Sequence, residues 1–267
     1  MTLINRYTTQ TIPPTCEPIS LAQAKRQLRV DGTDDDDFIR SLISAARNYV
    51  EYQCNTQLVL AKFVQTLDHF PCGTVISLNY APLIDVESIT YVDSAGDTQT
   101  LSTDVYSVLT TEKPGKIKLK YGQFWPVTRC QPDAVSITFR AGYARPFTAA
   151  VTDVITMGSS EPAEIESFPL STTDGSLPGG LSTGVVYDTH GLPGTTCSFR
   201  LAGGASDINI TSTGSGTHFV GVIPEAAIHA MLLLISFWYT TRNATMEGGF
   251  VPPQVGYLLS SVRWGGQ

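Results

Sequence analysis

The sequence predicts an α+β protein: a small helical bundle of three main helices plus a C-terminal arm, an antiparallel β region, and an inserted small all-β domain. Three patterns lead to this prediction. Apolar residues recur at helical spacing near both ends of the chain, short β segments fill residues 60–142, and residues 148–220 are rich in Gly, Ser and Thr. With 267 residues, the chain is long enough to bury a sizeable core in one large or two modest domains.

The first predicted helix is short and amphipathic. Ser20 can cap its start, and Gln23, three residues later, completes a capping box. Gly32 supplies a natural stop. The predicted buried face consists of Leu21, Ala24 and Leu28.

A second helix is predicted to follow at once and to end near Asn55. Acidic residues between Thr33 and Asp37 precede it, where negative charge is favourable next to the positive end of the helix dipole. The same acidic run could be a metal site, but no His or spaced partner carboxylate accompanies it, so we interpret it as a solvated helix start. The helical stripe consists of Phe38, Ile39, Leu42, Ile43, Ala46, Tyr49 and Val50.

An antiparallel β region is predicted between Leu60 and Gly142, with turns such as Lys113-Pro114-Gly115 between the strands. Strict alternation from Lys116 to Lys120 buries one strand face and leaves the other cationic. That face could contact phosphate, but we interpret it as a solvated strand face. The predicted strands are Lys62–Leu67, Val75–Leu78, Val86–Val92, Tyr106–Leu109, Lys116–Leu119 and Val135–Phe139.

Residues 148–220 are predicted to be a separate β domain, inserted into a discontinuous core of residues 1–147 and 221–267. This segment has seven acidic residues and one basic residue, Arg200, so it carries −6 of the net charge of −7. Disorder is the alternative, because the composition approaches low complexity. Alternating apolar residues in 207–210 and 217–220 favour folding. The predicted strands are Val151–Met157, Val185–Tyr187, Ser198–Leu201 and Ile208–Ser212.

The third main helix is predicted to begin at Pro224, with Glu225 favourable in its first turn, and to end at Arg242 and Asn243. It is apolar nearly all the way round, so we expect it to be central or buried in an assembly. His229 lies within it and is interpreted as a hydrogen-bonded core or interface residue. The candidates for a core or subunit-interface role are Ile228, Met231, Leu232, Ile235, Trp238 and Tyr239.

The C-terminal tail, residues 251–267, is predicted to be an arm that engages a partner. Gly248-Gly249 supplies a hinge, Pro252-Pro253 keeps the linker extended, and residues 255–259 show a weak helical pattern. Its apolar side chains form a set too large to leave exposed. The alternative is that the tail folds back on its own domain. The interface candidates are Tyr257, Leu258, Leu259, Val262, Arg263 and Trp264.

The sequence shows no constellation typical of an active site. The four histidines are isolated, and neither a nucleophile elbow nor a phosphate-binding loop is present. Gly214-Ser215-Gly216 follows a strand but precedes no helix, so it does not have the context of a nucleotide-binding loop. The five cysteines are odd in number and never form Cys-x-x-Cys, so we interpret them as reduced thiols rather than disulfides or zinc ligands. We therefore expect no catalytic residue, no cofactor and no metal.

The net charge of −7 argues against a dedicated DNA-binding protein, which would show a basic face. An acidic surface would instead repel phosphate and let a duplex slide past. The first 15 residues are polar and unlike a signal peptide, and the longest apolar run, Ala226–Phe237, is too short to span a bilayer. We therefore expect folding in a reducing cytoplasm and no membrane partner.

Several segments resemble the phage head–tail connector (adaptor) family known as gp6-like. Their shared order covers about three quarters of the chain, which makes the resemblance fairly specific. The segments are Ile19–Lys25, Leu28–Asp31 and Asp35–Ile39 in the first two helices; Ala81–Leu83, Ile89–Asp93, Tyr121-Gly122, Trp125-Pro126 and Phe139–Tyr143 in the β region; and Ile223–Ala227, Ala230–Leu234 and Trp238-Tyr239 in the last helix.

The resemblance implies a structural virion protein whose copies form a ring, expected to be a dodecamer. Such a ring docks on the portal protein, extends the channel through which double-stranded DNA passes without sequence-specific binding, and receives the next neck or tail protein, a stopper or tail terminator. It implies assembly in the bacterial host cytoplasm and a place in the virion neck. Because connectors of this family are thought to insert C-terminal segments between portal subunits, it also makes the tail the portal-binding arm. The family brings no catalytic residues, and its typical members lack the insert at 148–220.

Two other classes of protein are alternatives to the connector. A surface-exposed β-rich module of a phage or bacterium could bind glycans or proteins through the insert, which exposed aromatic residues would support. The insert's few aromatic residues, Phe168, Tyr187, Phe199 and Phe219, are instead interpreted as core. An enzyme would require a site that the sequence does not show.

Overall fold

The structure, a computed structural model, describes residues 6–157, 168–173, 175–191, 196–241 and 252–264. The chain divides into two compact units. The first unit comprises Met1–Pro14, Asn55–Gly142 and Trp264–Gln267, and the second comprises Thr15–Cys54 and Tyr143–Arg263. The described residues form four helices and many antiparallel strands, so the predicted α+β class is confirmed.

The first unit consists of two antiparallel sheets. The five-stranded sheet has the order β1-β2-β8-β4-β5, and the three-stranded sheet has the order β3-β7-β6. Two of the strands, β1 and β5, are absent from the sequence-based prediction. The strands are β1 (Arg6–Ile12), β2 (Ala61–Leu67), β3 (Val75–Ser77), β4 (Leu83–Val92), β5 (Thr98–Thr100), β6 (Tyr106–Leu109), β7 (Lys116–Leu119) and β8 (Val135–Ala141).

The core of this unit lies on one face of the neighbouring strands β2 and β8. Both strands alternate between buried and half-buried residues, as the period of two requires. Phe63 and Phe139 are paired across these strands, and their ring centroids lie 5.6 Å apart. Ile76 and Ile117, from the smaller sheet, are completely buried in the same cluster. The two sheets therefore share one hydrophobic core.

The helices belong to the second unit. The first helix is capped as predicted, because the Ser20 hydroxyl accepts a hydrogen bond from the Gln23 N–H at 3.1 Å. It ends earlier than predicted, at Arg29 rather than Gly32. Arg29 adopts a left-handed conformation, and the N–H of Val30 donates to the Lys25 carbonyl, which closes the helix. The four helices are α1 (Leu21–Leu28), α2 (Asp36–Cys54), α3 (Glu225–Thr241) and α4 (Pro253–Ser260).

Helix α3 packs against α1, α2 and α4 and is the centre of the helical cluster. Its buried residues include Ala227, Ala230 and Leu234. Of the two roles expected for His229, the core role is wrong, because the side chain is exposed; the interface role stays a prediction. His229 and Leu233, which is 36% exposed, lie on the same face of α3. Because the helix is apolar nearly all the way round, its sequence did not indicate which face is exposed. None of the described helices has the length and apolarity needed to cross a membrane.

The rest of the second unit contains a closed six-stranded barrel with the order β10-β13-β12-β11-β14-β9. Its aromatic residues fill the interior, where the rings of Phe168 and Phe199 lie 5.1 Å apart in an edge-to-face arrangement. The described residues of the segment are therefore folded rather than disordered. The strands are β9 (Ala144–Ala149), β10 (Ile155–Met157), β11 (Phe168–Thr173), β12 (Val186–Gly191), β13 (Thr196–Leu201) and β14 (Thr217–Gly221).

Two strand predictions in this segment need correction. The strand predicted at Val151–Met157 begins only at Ile155, because residues 150–154 form a tight turn. The strand predicted at Ile208–Ser212 forms only an isolated bridge, between Ser212 and Gly179. Its backbone N–H groups donate to Phe199, Asp153 and Gly179, so no single neighbouring strand pairs with it.

The predicted domain boundaries at residues 148 and 220 fall inside strands β9 and β14. The barrel is entered and left through neighbouring strands, and the Val222 N–H donates to the Tyr143 carbonyl at 2.9 Å just outside it. Independent folding of residues 1–147 with 221–267, without the segment 148–220, stays a prediction.

Candidate interface surfaces

The predicted portal-binding tail is folded back on its own helical cluster. Helix α4 packs against α3 and α2, and Val255, Leu259 and Val262 are buried. The Cys54 thiol lies 3.8 Å from the Leu259 carbonyl oxygen. The structure thus has the arrangement that the sequence analysis gave as the alternative to a free arm.

The remaining tail candidates are more accessible. Tyr257 is 79% exposed and Arg263 is exposed, whereas Leu258 and Trp264 are half-buried. The predicted hinge, Gly248-Gly249, lies outside the described residues. Tyr257 and Arg263 are therefore the tail side chains most available to a partner.

The six candidates on α3 serve mainly the unit's own packing. Met231, Leu232 and Ile235 are buried, and Ile228 is half-buried. Two half-buried aromatic residues connect α3 to α2 and the loop before it. Trp238 meets Tyr49 edge-to-face at 6.1 Å, and the Tyr239 hydroxyl donates to the Asp35 carboxylate at 2.5 Å.

A surface that the sequence analysis missed is the loop of residues 120–134, between β7 and β8, called here the aromatic loop. Tyr121, Phe124 and Val127 are exposed by 104%, 84% and 79% of their reference areas. Three such side chains within seven residues make a concentrated apolar surface, and such surfaces commonly mark interfaces. The feature of the sequence that could have indicated this surface is the run of residues 121–128, which contains no charged side chain.

Four contacts hold the aromatic loop against the first unit. Trp125 stacks on Phe70 with ring centroids 5.0 Å apart, and its indole N–H donates to the Gly73 carbonyl at 2.8 Å. Further along, the Arg129 N–H donates to the Val92 carbonyl, and the Asp133 N–H donates to the Asp68 carboxylate. The loop is thus anchored at Trp125 and beyond while Tyr121 and Phe124 project outward.

A cleft of about 740 Å³ lies beside this loop, within the first unit. Its walls are residues 68–71 and residues 125–132. Phe70, Pro71 and Pro126 provide apolar surface, and Cys130 is an exposed thiol in its lining. The size lies within the range of roughly 300–1,000 Å³ that is usual for binding pockets.

The predicted cationic strand face is present on β7. Ile117 is fully buried, while Lys118 points to solvent. Lys116 forms an ion pair with Glu112, and the Lys120 ammonium donates to the Thr103 carbonyl at 2.9 Å. Two of the three lysines thus interact with groups of their own chain. This favours the interpretation as a solvated strand face over a phosphate-binding surface.

A Ser–His–Asp grouping on the barrel lacks the geometry of a catalytic triad. Asp207 accepts from both Ser198 and Arg200, and His190 lies 3.3 Å from the same carboxylate. The hydrogen bond from Arg200 lowers the pKa of Asp207, and the smaller contribution of Ser198 acts in the same direction. A nucleophilic serine needs its hydroxyl on the histidine, whereas Ser198 is bonded to the carboxylate. Because Ser198 and Arg200 belong to β13, these hydrogen bonds attach the segment around Asp207 to that strand.

The described residues contain no group of three His, Cys, Asp or Glu side chains that could hold a metal ion. The five cysteines are free thiols. Burial raises the pKa of the Cys16 thiol to about 12 and those of Cys54 and Cys197 to about 11. A thiol with so high a pKa is a poor nucleophile at neutral pH.

Residues 18–82 match the model of the phage gp6-like head-tail connector protein family. The matched region contains α1, α2, β2 and β3, so it begins in the helical cluster and continues into the first unit. The resemblance to this family is therefore confirmed over these residues. No curated protein matches the sequence significantly.

Two solved structures show the same fold along nearly the whole chain. A chain in the neck of an empty gene transfer agent particle, computed with C6 symmetry, has a TM-score of 0.57 and 16% identity, covering 97% of this chain and 95% of its own. A chain in the neck of a native particle, computed with C12 symmetry, has a TM-score of 0.54 and 16% identity, covering 98% and 95%.

Proposed function

We propose that this chain is a structural protein of the virion neck: a head–tail connector (adaptor) subunit that forms a ring under the portal. The ring extends the DNA channel and joins the capsid to the neck or tail. The observation that carries this proposal is the match of residues 18–82 to the gp6-like connector family. The likeness to neck structures supports it, because it covers both compact units rather than one shared domain.

The proposed partners follow from this role. They are eleven further copies in a dodecamer, the portal protein, the next neck or tail protein (a stopper or tail terminator), and double-stranded DNA passing through the lumen. The C12 symmetry of one similar neck structure supports the dodecamer. The net charge of −7 suits DNA that slides without being held. The role needs no cofactor and no catalytic residue.

The glycan-binding alternative has lost its main support. Aromatic side chains exposed on the barrel would support it, but Phe168, Tyr187, Phe199 and Phe219 are each at most 2% exposed. Sugar-binding sites use the exposed faces of such rings, so the barrel offers none of these four for that purpose.

Binding to the cognate portal protein tests the proposal directly. The purified protein, mixed with portal rings, should form a complex whose subunit ratio native mass spectrometry can count, and cryo-electron microscopy should show it as a ring beneath the portal. Absence of a complex at micromolar concentrations of a folded protein would contradict the proposed function.

We further propose that the tail contributes to portal binding through Tyr257 and Arg263. Both are exposed, and an aromatic residue and an arginine are the types that most often anchor interfaces. Because Leu259 and Val262 are buried in the subunit itself, deleting the tail would also damage the fold. Point variants therefore test the contact better than truncation does.

Tyr257→Ala and Arg263→Ala should each weaken portal binding by about 30-fold, as expected for anchor residues. The melting temperature should stay within about 2 °C of that of the wild type, because the side chains are exposed. Gln254→Ala, an exposed position on the same helix as Tyr257, is the matched control. Unchanged affinity in both variants would exclude this surface from the portal contact.

A further inference from the structure

The first unit carries a projecting apolar surface and an apolar cleft on the same loop. Tyr121 and Phe124 are 104% and 84% exposed. Neither lines the cleft, which is formed by residues 68–71 and 125–132. The two rings therefore lie outside the cleft of their own subunit, and both surfaces are free for a second molecule.

The two surfaces match in chemistry. Residues 121–128 contain no charged side chain, so a partner must recognise this part of the loop by apolar burial and hydrogen bonding. The cleft offers apolar walls from Phe70, Pro71 and Pro126, and Arg129 is also part of its lining. Its volume of about 740 Å³ is large enough for aromatic side chains.

The two rings also supply a substantial share of the area that a protein interface needs. Each aromatic side chain contributes roughly 150–250 Å² of contact area when it is buried. Tyr121 and Phe124 together therefore supply about half of the roughly 800 Å² per partner that a stable protein interface needs. A protein partner of ordinary footprint, centred on this loop, fits the observation.

We propose that the Tyr121 and Phe124 rings of one copy of this protein insert into the cleft of the next copy. The contact is head-to-tail when each copy inserts its rings into one neighbour and receives the rings of another in its cleft, and it can then be repeated from copy to copy until a ring closes. The inference rests on the proposed ring, and it assigns the residues through which neighbouring subunits meet.

Two complementary variants test the contact. Tyr121→Ser with Phe124→Ser removes the projecting rings, and Cys130→Trp fills the cleft from its lining. Each variant alone should raise the concentration at which the protein self-associates by at least about 30-fold in sedimentation and native mass spectrometry. Mixed together they should form pairs and nothing larger, because the cleft variant still offers rings and the ring variant still offers a cleft.

The controls separate this contact from general effects. Cys130→Ser keeps the cleft open, and Tyr52→Ser removes an aromatic residue that is 83% exposed elsewhere; both should assemble like the wild type. Circular dichroism checks folding, and Gln131→Trp, another position in the cleft lining, replaces Cys130→Trp if that variant is unstable.

Three results would overturn the inference: variants that self-associate like the wild type, a mixture that forms no pairs, and a wild type that stays monomeric up to high concentration. If the ring variant assembles normally but no longer binds portal, the loop contacts the portal instead. In that case the inference fails while the proposed function stands.

Discussion

Arg47 shows how one side chain connects separate parts of the helical cluster. Its Nε donates to Glu17 at 2.8 Å and its Nη1 donates to Glu51 at 3.0 Å, and the Arg47 and Glu51 side chains are only 14% and 13% exposed. Burial acts to lower the pKa of Arg47, but the bonds to the two carboxylates outweigh it, so the pKa is raised. The arginine thus supplies the positive charge that balances two partly buried carboxylates.

Arg47→Met is expected to destabilise the protein by about 2–3 kcal/mol, because it leaves two partly buried carboxylates without their cation. Urea denaturation measures the loss. Arg40→Met is the matched control: the Arg40–Asp37 pair lies on the same helix but is solvent-exposed, so its removal should cost less than about 1 kcal/mol. Equal losses for the two variants would show that burial does not strengthen the Arg47 pairs.

The cysteines should separate into two classes by reactivity. Burial raises the pKa values of Cys16, Cys54 and Cys197 to about 11 or above, so at pH 8 these thiols stay protonated and covered, whereas Cys72 and Cys130 are exposed. Iodoacetamide at pH 8 should therefore add two groups per native chain and five after denaturation, counted by mass spectrometry. Labelling of all five in the native state would contradict the buried positions.

The same thiols should make the fold sensitive to base. Their native pKa values lie above the unfolded value of about 9, so the native state holds protons that the unfolded chain has already lost. The contribution to stability is fully present below pH 9 and is lost as the pH rises toward 11. Changing Cys197 to Ala should reduce this decline between pH 9 and 11 in urea denaturation series; an unchanged slope would contradict it.

At the scale of single elements, helices were predicted better than strands. The apolar stripe of α2 and its end at Asn55, which adopts a left-handed conformation, follow directly from helical spacing. Strand β1 is polar and lies at a sheet edge, and β9 and β11 each contain a proline, so none of them shows the alternation that predicts a strand. Their pairing depends on neighbours distant in the sequence, and a local pattern does not contain that information.

The connection between β11 and β12 depends on a glycine that no other residue can replace without strain. Gly180 has a φ of +98°, and a Cβ there would lie 2.3 Å from the Asn209 carbonyl oxygen. Gly184 also has a positive φ, of +78°, but a Cβ there would have no atom within 4 Å. The two positions therefore differ in crowding while sharing an unfavourable backbone conformation.

Gly180→Ala should destabilise the barrel by about 3 kcal/mol or more, whereas Gly184→Ala should cost only about 1 kcal/mol, the usual penalty for a left-handed alanine. Thermal denaturation followed by near-ultraviolet circular dichroism measures both, because the aromatic residues of the barrel interior report its packing. Similar melting temperatures for the two variants would show that the chain near Asn209 yields to the added methyl group.

At the scale of the whole molecule, the sequence predicted which residues are apolar but not which surface covers them. Leu259 was a candidate for the portal contact and Met231 for a core or subunit-interface role, and both are buried within their own chain. Tyr121 was noted only as part of a resemblance segment and Phe124 not at all, and their exposure in the structure makes them interface candidates. An apolar side chain tends to be buried, but the sequence does not show whether it is buried within its own chain or in contact with a partner; that depends on the fold.

Removing the barrel tests whether the rest of the chain folds independently. Because the Tyr143 carbonyl and the Val222 N–H are hydrogen-bonded, residues 144–221 can be replaced by a short Gly-Ser linker without moving the ends. The shortened protein should keep its helical circular dichroism signal and unfold cooperatively. Because the helices and the barrel belong to the same compact unit, loss of cooperative unfolding would show that the barrel is part of the helical core.

The barrel's neighbouring entry and exit strands also bear on the history of the chain. A module whose ends meet can be gained or lost by a single recombination event, because the flanking segments keep their spacing and direction whether or not it is present. The same property makes the barrel a natural position for a fluorescent or affinity tag, because the flanking segments keep their spacing when the chain between them is changed.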